Sequence, residues 1–390
     1  MLRIPPGVPL AEDNRPLVAP IYQSVKFGFD TLSDTERAWH DAAHGYTYSR
    51  GANPSVRAVE LAIADMQGTE DALVVGSGMA AVSAVFLSLL SAGDHVLHFV
   101  ESYVPTRILV RGLLARFGVT QTLLSIEDKA GIERELAARP TALVWFESPT
   151  NPMLKIADLA HLVSSARRAG AITVLDNTFA GPHQHGGSGV DLYVHSLTKY
   201  AGGHGDVMAG AVAGSAALIA RVRRDSSLLG PTLDPHAAFL VSRGLKTYFL
   251  RREAACASAR AVAGYLAAHP FVQRVHYPGL ATHPGHALAA SQMRDYGTVV
   301  TIDLAGTPAQ ARVFTDTLKL FTVAASLGSP ESLIVPPQLL GTGGLAGEAL
   351  RACGITPTTA RLSIGLEDAQ DLIDDLGLAL AAASASEQAQ

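Results

Sequence analysis

Between residues 70 and 214 the chain alternates short apolar runs with longer stretches whose apolar positions recur at helical spacing. "ALVV" (72–75), "HVLHFV" (95–100), "ALVWF" (142–146), "AITVL" (171–175), "DLYVH" (191–195) and "AGAVAG" (209–214) are near-continuous apolar runs. That is the pattern of strands covered on both faces. Between them, Ile156, Leu159, Ala160 and Val163 share one helical face, and Gly170 stands where a helix over 156–169 should end. Residues 129–138 and 105–118 predict two further helices. Strand–helix alternation of this length predicts a mainly parallel, doubly wound α/β sheet. Ligands of such sheets lie beyond the carboxyl ends of the strands.

Outside this span the pattern changes. The first 48 residues have little periodicity and many turn formers, which predicts an extended N-terminal arm. A large domain then occupies 49–245. Over 246–390 an alanine-rich helix (256–269), the turn-rich "YPGLATHPGH" and the strand "GTVVTIDL" (297–304) predict a smaller α+β domain. The tail "SASEQAQ" reads as frayed.

Composition narrows the classes. A length of 390 residues suits roughly two to three domains. A net charge of −5 gives no reason to expect nucleic acid or an anionic membrane as partner. Cys256 and Cys353 are too few for a disulfide framework and lack metal-ligand spacing. The prolines of "MLRIPPGVPL" fall where a secretory leader needs an apolar helix, so a reducing, cytoplasmic setting is expected.

The 22 uncharged residues between Asp71 and Asp94 are long enough to cross a bilayer. Their glycines and serines, and acidic rather than basic flanks, favour a buried strand, a glycine turn and a buried helix. Gly76, Gly78 and Ala81 also match G-x-G-x-x-A, and Glu101 follows the next strand where a ribose partner would stand. The alternative is a helix start whose amides hold one phosphate.

"DLYVHSLTKYAGGHGD" (191–206) decides more. Continued extension would put Ser196 and Thr198 on one face and Lys199 on the other. Hydroxyls suit a phosphate, and a partly desolvated lysine forms Schiff bases. Upstream, Asp176 ends a buried strand, where a carboxylate needs a cationic partner such as a protonated pyridine nitrogen. Glu147 and Asn151 end a third strand in "WFESPTNP".

Taken with "YTYSRGANPS" (46–55), "GSGMAA" (76–81), "ESPTNP" (147–152), "LDNTFA" (175–180), "SLGSPESLI" (326–334) and "RLSIGLED" (361–368), the chain resembles the Cys/Met-metabolism pyridoxal-phosphate enzymes. These include cystathionine γ- and β-lyases, cystathionine γ-synthase and methionine γ-lyase. The resemblance implies a fold type I α/β architecture and pyridoxal 5'-phosphate as cofactor. It implies that Lys199 holds the cofactor covalently and moves protons, and that Asp176 pairs with the ring nitrogen. Gly78, Met79, Ser196 and Thr198 would bind the phosphate, and Tyr103 would stack on the ring and act in proton transfer. Arg361 would fork onto the substrate α-carboxylate, with Asn151 and Ser326 in the same pocket. Tyr48 and Arg50 would complete a neighbouring subunit's site, in a homotetramer built from dimers. The phosphate cup uses Lys199, Asp176 and Arg361; a nicotinamide-dependent oxidoreductase, the reading from another class, leaves them without a task.

Two departures bear on the substrate. Tyr103-Val104-Pro105-Thr106 lacks the cysteine associated with methionine γ-lyases, and Ala325 stands where many cystathionine-handling members carry Glu. Arg107 remains as a candidate for a distal carboxylate. The expected activity is C–S lysis of a sulfur amino acid, cystathionine ahead of smaller thioethers, by β- or γ-elimination, giving thiol, ammonia and a 2-oxo acid; γ-replacement on an activated homoserine is the alternative. His183, His185, His195 and His204 cluster without a metal-binding acid spacing, so no metal is expected.

Overall fold

A computed structural model describes residues 16–40 and 44–386. Its first sheet contains β1 (Asp71–Val75), β2 (His95–Phe99), β3 (Thr120–Leu124), β4 (Leu143–Glu147), β5 (Ile172–Asp176), β6 (Leu192–Ser196) and β7 (Gly210–Gly214). The spatial order is β1-β7-β6-β5-β4-β2-β3. Only β7 runs against its neighbours, so the sheet is mainly parallel.

Alternation along each strand supplies both faces of this sheet. Ala72 and Val74 join one buried cluster with Val144 and Phe146, whereas Leu73 and Val75 join another with Leu143 and Trp145. After α1 (Leu32–His40), helices cover both sides: α2 (Pro54–Gln67), α3 (Gly78–Leu89), α4 (Val104–Ile108), α5 (Lys129–Ala138), α6 (Leu159–Arg168), α7 (Ala216–Leu229) and α8 (Pro235–Leu245). Local chemistry fixes their ends. Asn53 accepts from the Ser55 amide to start α2 with Pro54 behind it, and Gly68 closes it at φ 70°.

α9 (Tyr248–Ala268) leads to the second sheet, β8 (Val272–His276), β9 (Val299–Leu304), β10 (Thr322–Val323), β11 (Leu333–Val335) and β12 (Thr359–Ser363). Its order is β10-β11-β12-β9-β8, and α10 (His286–Gln292), α11 (Pro308–Thr317), α12 (Gly347–Cys353) and α13 (Ala369–Ala385) complete the described chain. Leu154, Phe179, Tyr200, Tyr248, Val299 and Leu327 form an apolar seam between the segments that follow β4, β5 and β6 and the start of α9 and β9.

Several expectations are corrected. α1 lies inside the segment read as an extended arm; residues 1–15, including the leader region, lie outside the described residues. The helix expected over 105–118 is α4, then a π-helical turn (Leu109–Leu113) and a 3-10 turn (Leu114–Phe117). The helix expected from 156 starts at Leu159, where the Asp158 side chain caps it. β3 has no counterpart among the expected strands. Of the tail, Ser384 and Ala385 are helical and 387–390 lie outside the described residues.

Candidate active site

The carboxyl ends of β1, β4, β5 and β6 converge on one cavity of about 640 Å³. In-register pairing sets Glu147 beside Asp176, and Asp176 beside Val194. Lys199, Asp176, Tyr103, Asn151, Ser326 and Arg361 all line the cavity, as do Gly78, Met79, Ser196 and Thr198.

Lys199 shares this face with Ser196 and Thr198, contrary to the expectation from an extended strand. The chain turns immediately after β6: the Lys199 amide donates to the Ser196 carbonyl at 3.1 Å, and the Gly202 amide to Leu197 at 2.8 Å. Arg251 clasps this turn from outside, donating to the carbonyls of Tyr200 at 3.2 Å and Gly244 at 2.8 Å. The Lys199 ammonium donates to Ser326 Oγ at 2.8 Å. Burial lowers its pKa, and the nearby Arg361 charge lowers it further.

Arg361, on β12, donates to Asn151 Oδ1 and to the Ser326 carbonyl, both at 2.9 Å. Its Nε is buried with no hydrogen-bond partner among the described residues, an unsatisfied donor in a residue that lines the cavity. Burial pulls this guanidinium down to about 10. Ser326 itself sits at φ 148°, held there between the lysine and the arginine.

The carboxyl pair behaves oppositely to ordinary surface acids. Burial raises the Asp176 pKa, against hydrogen bonds from Thr178 that lower it. Burial, then the neighbouring Asp176, lifts Glu147 well above the usual carboxylate range. Glu147 accepts a hydrogen bond from the Tyr103 amide and so fixes the start of α4. Burial also raises the Tyr103 phenol, with Glu147 and Asp176 adding to the effect.

At the other end, α3 begins with Gly78 and Met79, and Ser77 caps it through the Ala80 amide at 3.1 Å. A Cβ on Gly78 would lie 2.8 Å from Ser196 Cβ, so the close approach of helix and strand requires glycine. Helix-start amides next to two hydroxyl side chains form an anion cup.

A profile of the Cys/Met metabolism PLP-dependent enzyme family matches residues 8–381. The chain belongs to this family. It is 38% identical to L-methionine gamma-lyase of Pseudomonas putida over 372 residues, covering 94% of this chain and 93% of that protein. Cystathionine gamma-lyase of Bacillus subtilis is 37% identical over 383 residues, or 97% and 98% of the two chains. The fold matches that of cystathionine gamma synthase from Xanthomonas oryzae pv. oryzae, solved in complex with aminoacrylate and cysteine. That match has a TM-score of 0.89, with 36% identity and 95% and 94% coverage.

Family membership makes pyridoxal phosphate the cofactor, and the nicotinamide reading falls. The donor set fits: an amine on the wall, an acid wanting a cation, helix-start amides beside two hydroxyls, and a guanidinium with one unpartnered N–H. Glu101, the acid proposed for a ribose, is instead occupied by the Ser125 hydroxyl at 2.9 Å, the Ile126 amide at 3.1 Å and Lys155 at 2.9 Å. Among the described residues no helix is long and apolar enough to cross a membrane.

Three sequence candidates stand elsewhere. Tyr48 and Arg50 pack on each other at 5.3 Å, outside the Lys199 cavity of their own chain. Arg107 is buried, donating to the carbonyls of Ser102 at 2.9 Å and Thr342 at 3.0 Å, and does not line the cavity. The histidines serve the scaffold: His183 bonds Asp295, His185 bonds Asn177 and His195 bonds Gln67. Sequence reading missed Thr178, Arg251 and the Glu147–Tyr103 contact; only Thr178, inside "LDNTFA", carried a local signal.

Proposed function

We propose that this chain is a C–S lyase of sulfur-containing L-amino acids, releasing a thiol, ammonia and a 2-oxo acid. The observation that carries this reading is the Lys199–Ser326–Arg361 chain, which sets a proton carrier next to a carboxylate receptor. When bound, pyridoxal phosphate supplies an electron sink for the pair left as the Cα–H bond breaks. Gly78, Met79, Ser196 and Thr198 hold its phosphate, Lys199 its aldehyde carbon and Asp176 its ring nitrogen.

Arg361 takes the substrate α-carboxylate on its unsatisfied Nε edge and orients Cα toward Lys199. Lys199, easier to deprotonate than an ordinary lysine, accepts the Cα proton, and for a γ leaving group also a Cβ proton. Ser326 Oγ steadies the amine between these tasks. Tyr103, whose raised pKa keeps the phenol protonated at neutral pH, gives its proton to the departing sulfur. Tyr48 and Arg50 reach a second subunit's phosphate in an oligomer of at least two chains, a homotetramer in the full reading. Their exposed position outside their own cavity supports this. A cytoplasmic setting is part of the same reading, supported by two free cysteines.

The similarity to a γ-synthase structure favours γ-replacement as the second reading. Holoenzyme incubated with L-cystathionine, L-cysteine, L-methionine or O-acetylhomoserine plus a thiol separates them. Thiol with pyruvate or 2-oxobutyrate from a thioether is expected. A new thioether from O-acetylhomoserine as the main product would overturn lysis in favour of replacement.

A further inference from the structure

Lys199 reaches the cavity from a single helical turn that is weakly held from within. The Gly203 amide donates to the Lys199 carbonyl at 2.8 Å, and the carbonyls of Tyr200 and Gly203 then accept from no backbone amide among the described residues. Such a deficit is usual at a helix end, and a donor from elsewhere must make it good. Arg251, in the first turn of α9, does so. Nη1 and Nη2 both donate to the Tyr200 carbonyl at 3.2 Å; Nη1 also reaches the Gly203 carbonyl at 3.4 Å, and Nη2 that of Gly244 at 2.8 Å. Nε donates to Thr247 Oγ1 at 3.2 Å.

Arg251 is thus a cation spent on carbonyls. Among the described residues no acid pairs with it, and burial lowers its pKa. A planar fork with five donors suits this task, whereas an ammonium would meet only part of it. Gly203 admits the fork at φ 70°, because a Cβ there would collide with the guanidinium. Where Arg251 takes the Tyr200 carbonyl, Gly328 abuts the Tyr200 amide: a Cβ on Gly328 would lie 2.9 Å from that nitrogen. Leu327 packs in one cluster with Tyr200, and Ser326 accepts from the Lys199 amine. The turn is therefore gripped by α9 and by the 326–328 segment, while Arg251 itself does not line the cavity.

We infer that Arg251 is a positioning residue for Lys199: by tying the Tyr200 and Gly203 carbonyls to α9 and α8 it fixes the direction in which the amine meets Ser326 and a substrate Cα. This rests on the reading of Lys199 as proton carrier. A displacement of about 1 Å in a reacting group is enough to slow a step about a hundredfold. Arg361 stands on β12, apart from the turn, so the carboxylate receptor keeps its place when the turn loosens. Loss of Arg251 should therefore slow proton transfer and spare binding.

The probe is L-alanine, which has a Cα proton and no leaving group, so lysis and replacement do not enter. Holoenzyme in D2O is followed by NMR for loss of that proton. Arg251→Met is expected to lower the maximal exchange rate about ten- to a hundredfold and to hold the half-saturating alanine concentration within about threefold. In cofactor-free protein, amide exchange of the peptide 197–203 should quicken by about tenfold, with β6 unchanged. A wild-type rate in Arg251→Met, with none in Lys199→Ala, would keep Lys199 as proton carrier and overturn the positioning role. Weakened binding in step with the slower rate, or amide exchange that quickens equally in β6, would make Arg251 a general prop of the fold and also overturn it. Exchange of alanine that survives in Lys199→Ala would remove the proton-carrier reading and this inference with it. Arg251→Lys keeps the cation but donates from one nitrogen, and its rate should fall between those of wild type and Arg251→Met. Should Arg251→Met not fold, a wild-type rate in Arg251→Lys overturns the inference.

Discussion

The Lys199 cavity and the cluster around Asp295 are both buried, both charged and both near the seam between the two sheets, yet they solve opposite problems. Around Asp295 every carboxylate oxygen has a cation or donor: Arg252 at 2.6 Å and His183 at 2.8 Å, with Arg252 also stacked 4.5 Å over the Tyr200 ring. Asp295 is therefore held well below the usual carboxylate range, Arg252 being the largest lowering influence against burial. In the cavity, Asp176 and Glu147 are buried side by side with no cation bonded to either among the described residues, and both are pushed up. The first arrangement is complete within the chain. On the proposed reading the second is completed by a ligand that brings a positive charge to Asp176, and this is how a functional site differs from a structural ion pair.

The comparison breaks first at Asp295. Asp295→Asn strands the buried Arg252 and should cost about 3–5 kcal/mol of stability at neutral pH, read by urea denaturation. Since the folded pKa is depressed, the wild-type contribution is full above the unfolded value of about 3.9 and is lost as pH falls through the folded value. The gap between the two proteins should therefore narrow in acid.

Asp176→Asn should do the reverse. Its folded pKa is raised, so its ionisation weakens the fold as pH rises above the unfolded value, and the cofactor-free variant should match or exceed wild type at neutral pH. Loaded with cofactor, the same variant should lose turnover by about a hundred- to a thousandfold. A destabilised cofactor-free Asp176→Asn protein would erase the contrast between the clusters.

Tyr103→Phe sharpens the cavity side alone. Thioether lysis should fall by about a hundredfold, with stability within about 0.5 kcal/mol, because the phenol is 42% exposed. The smallest effect is expected at the anion cup. Gly78→Ala forces its Cβ against Ser196 and should weaken cofactor retention on dialysis by about tenfold.

Much of the cavity was legible because strand ends carry it. Buried parallel strands are apolar runs, so the polar residues that interrupt them, Asp176, Ser196 and Glu147, stand out in one dimension. β3 was not legible: "TQTLL" is a half-exposed edge strand and lacks the apolar run. The reversed direction of β7 leaves no mark on "AGAVAG" either. Lys199 shows how a period-two argument fails once the backbone turns, here at Leu197. Arg107 and Asp295 depend on partners 235 and 43 residues away, and no local pattern announces them. α1 was hidden because "LSDTERAWH" is polar on most of its surface.

The most direct measurement is the site of covalent cofactor attachment. Holoenzyme reduced with borohydride, digested and mapped by mass spectrometry should carry the pyridoxyl group on Lys199 alone, and Lys199→Ala should carry none. Label on Lys155, the other largely buried lysine, or retained in the Lys199→Ala protein, would contradict the account.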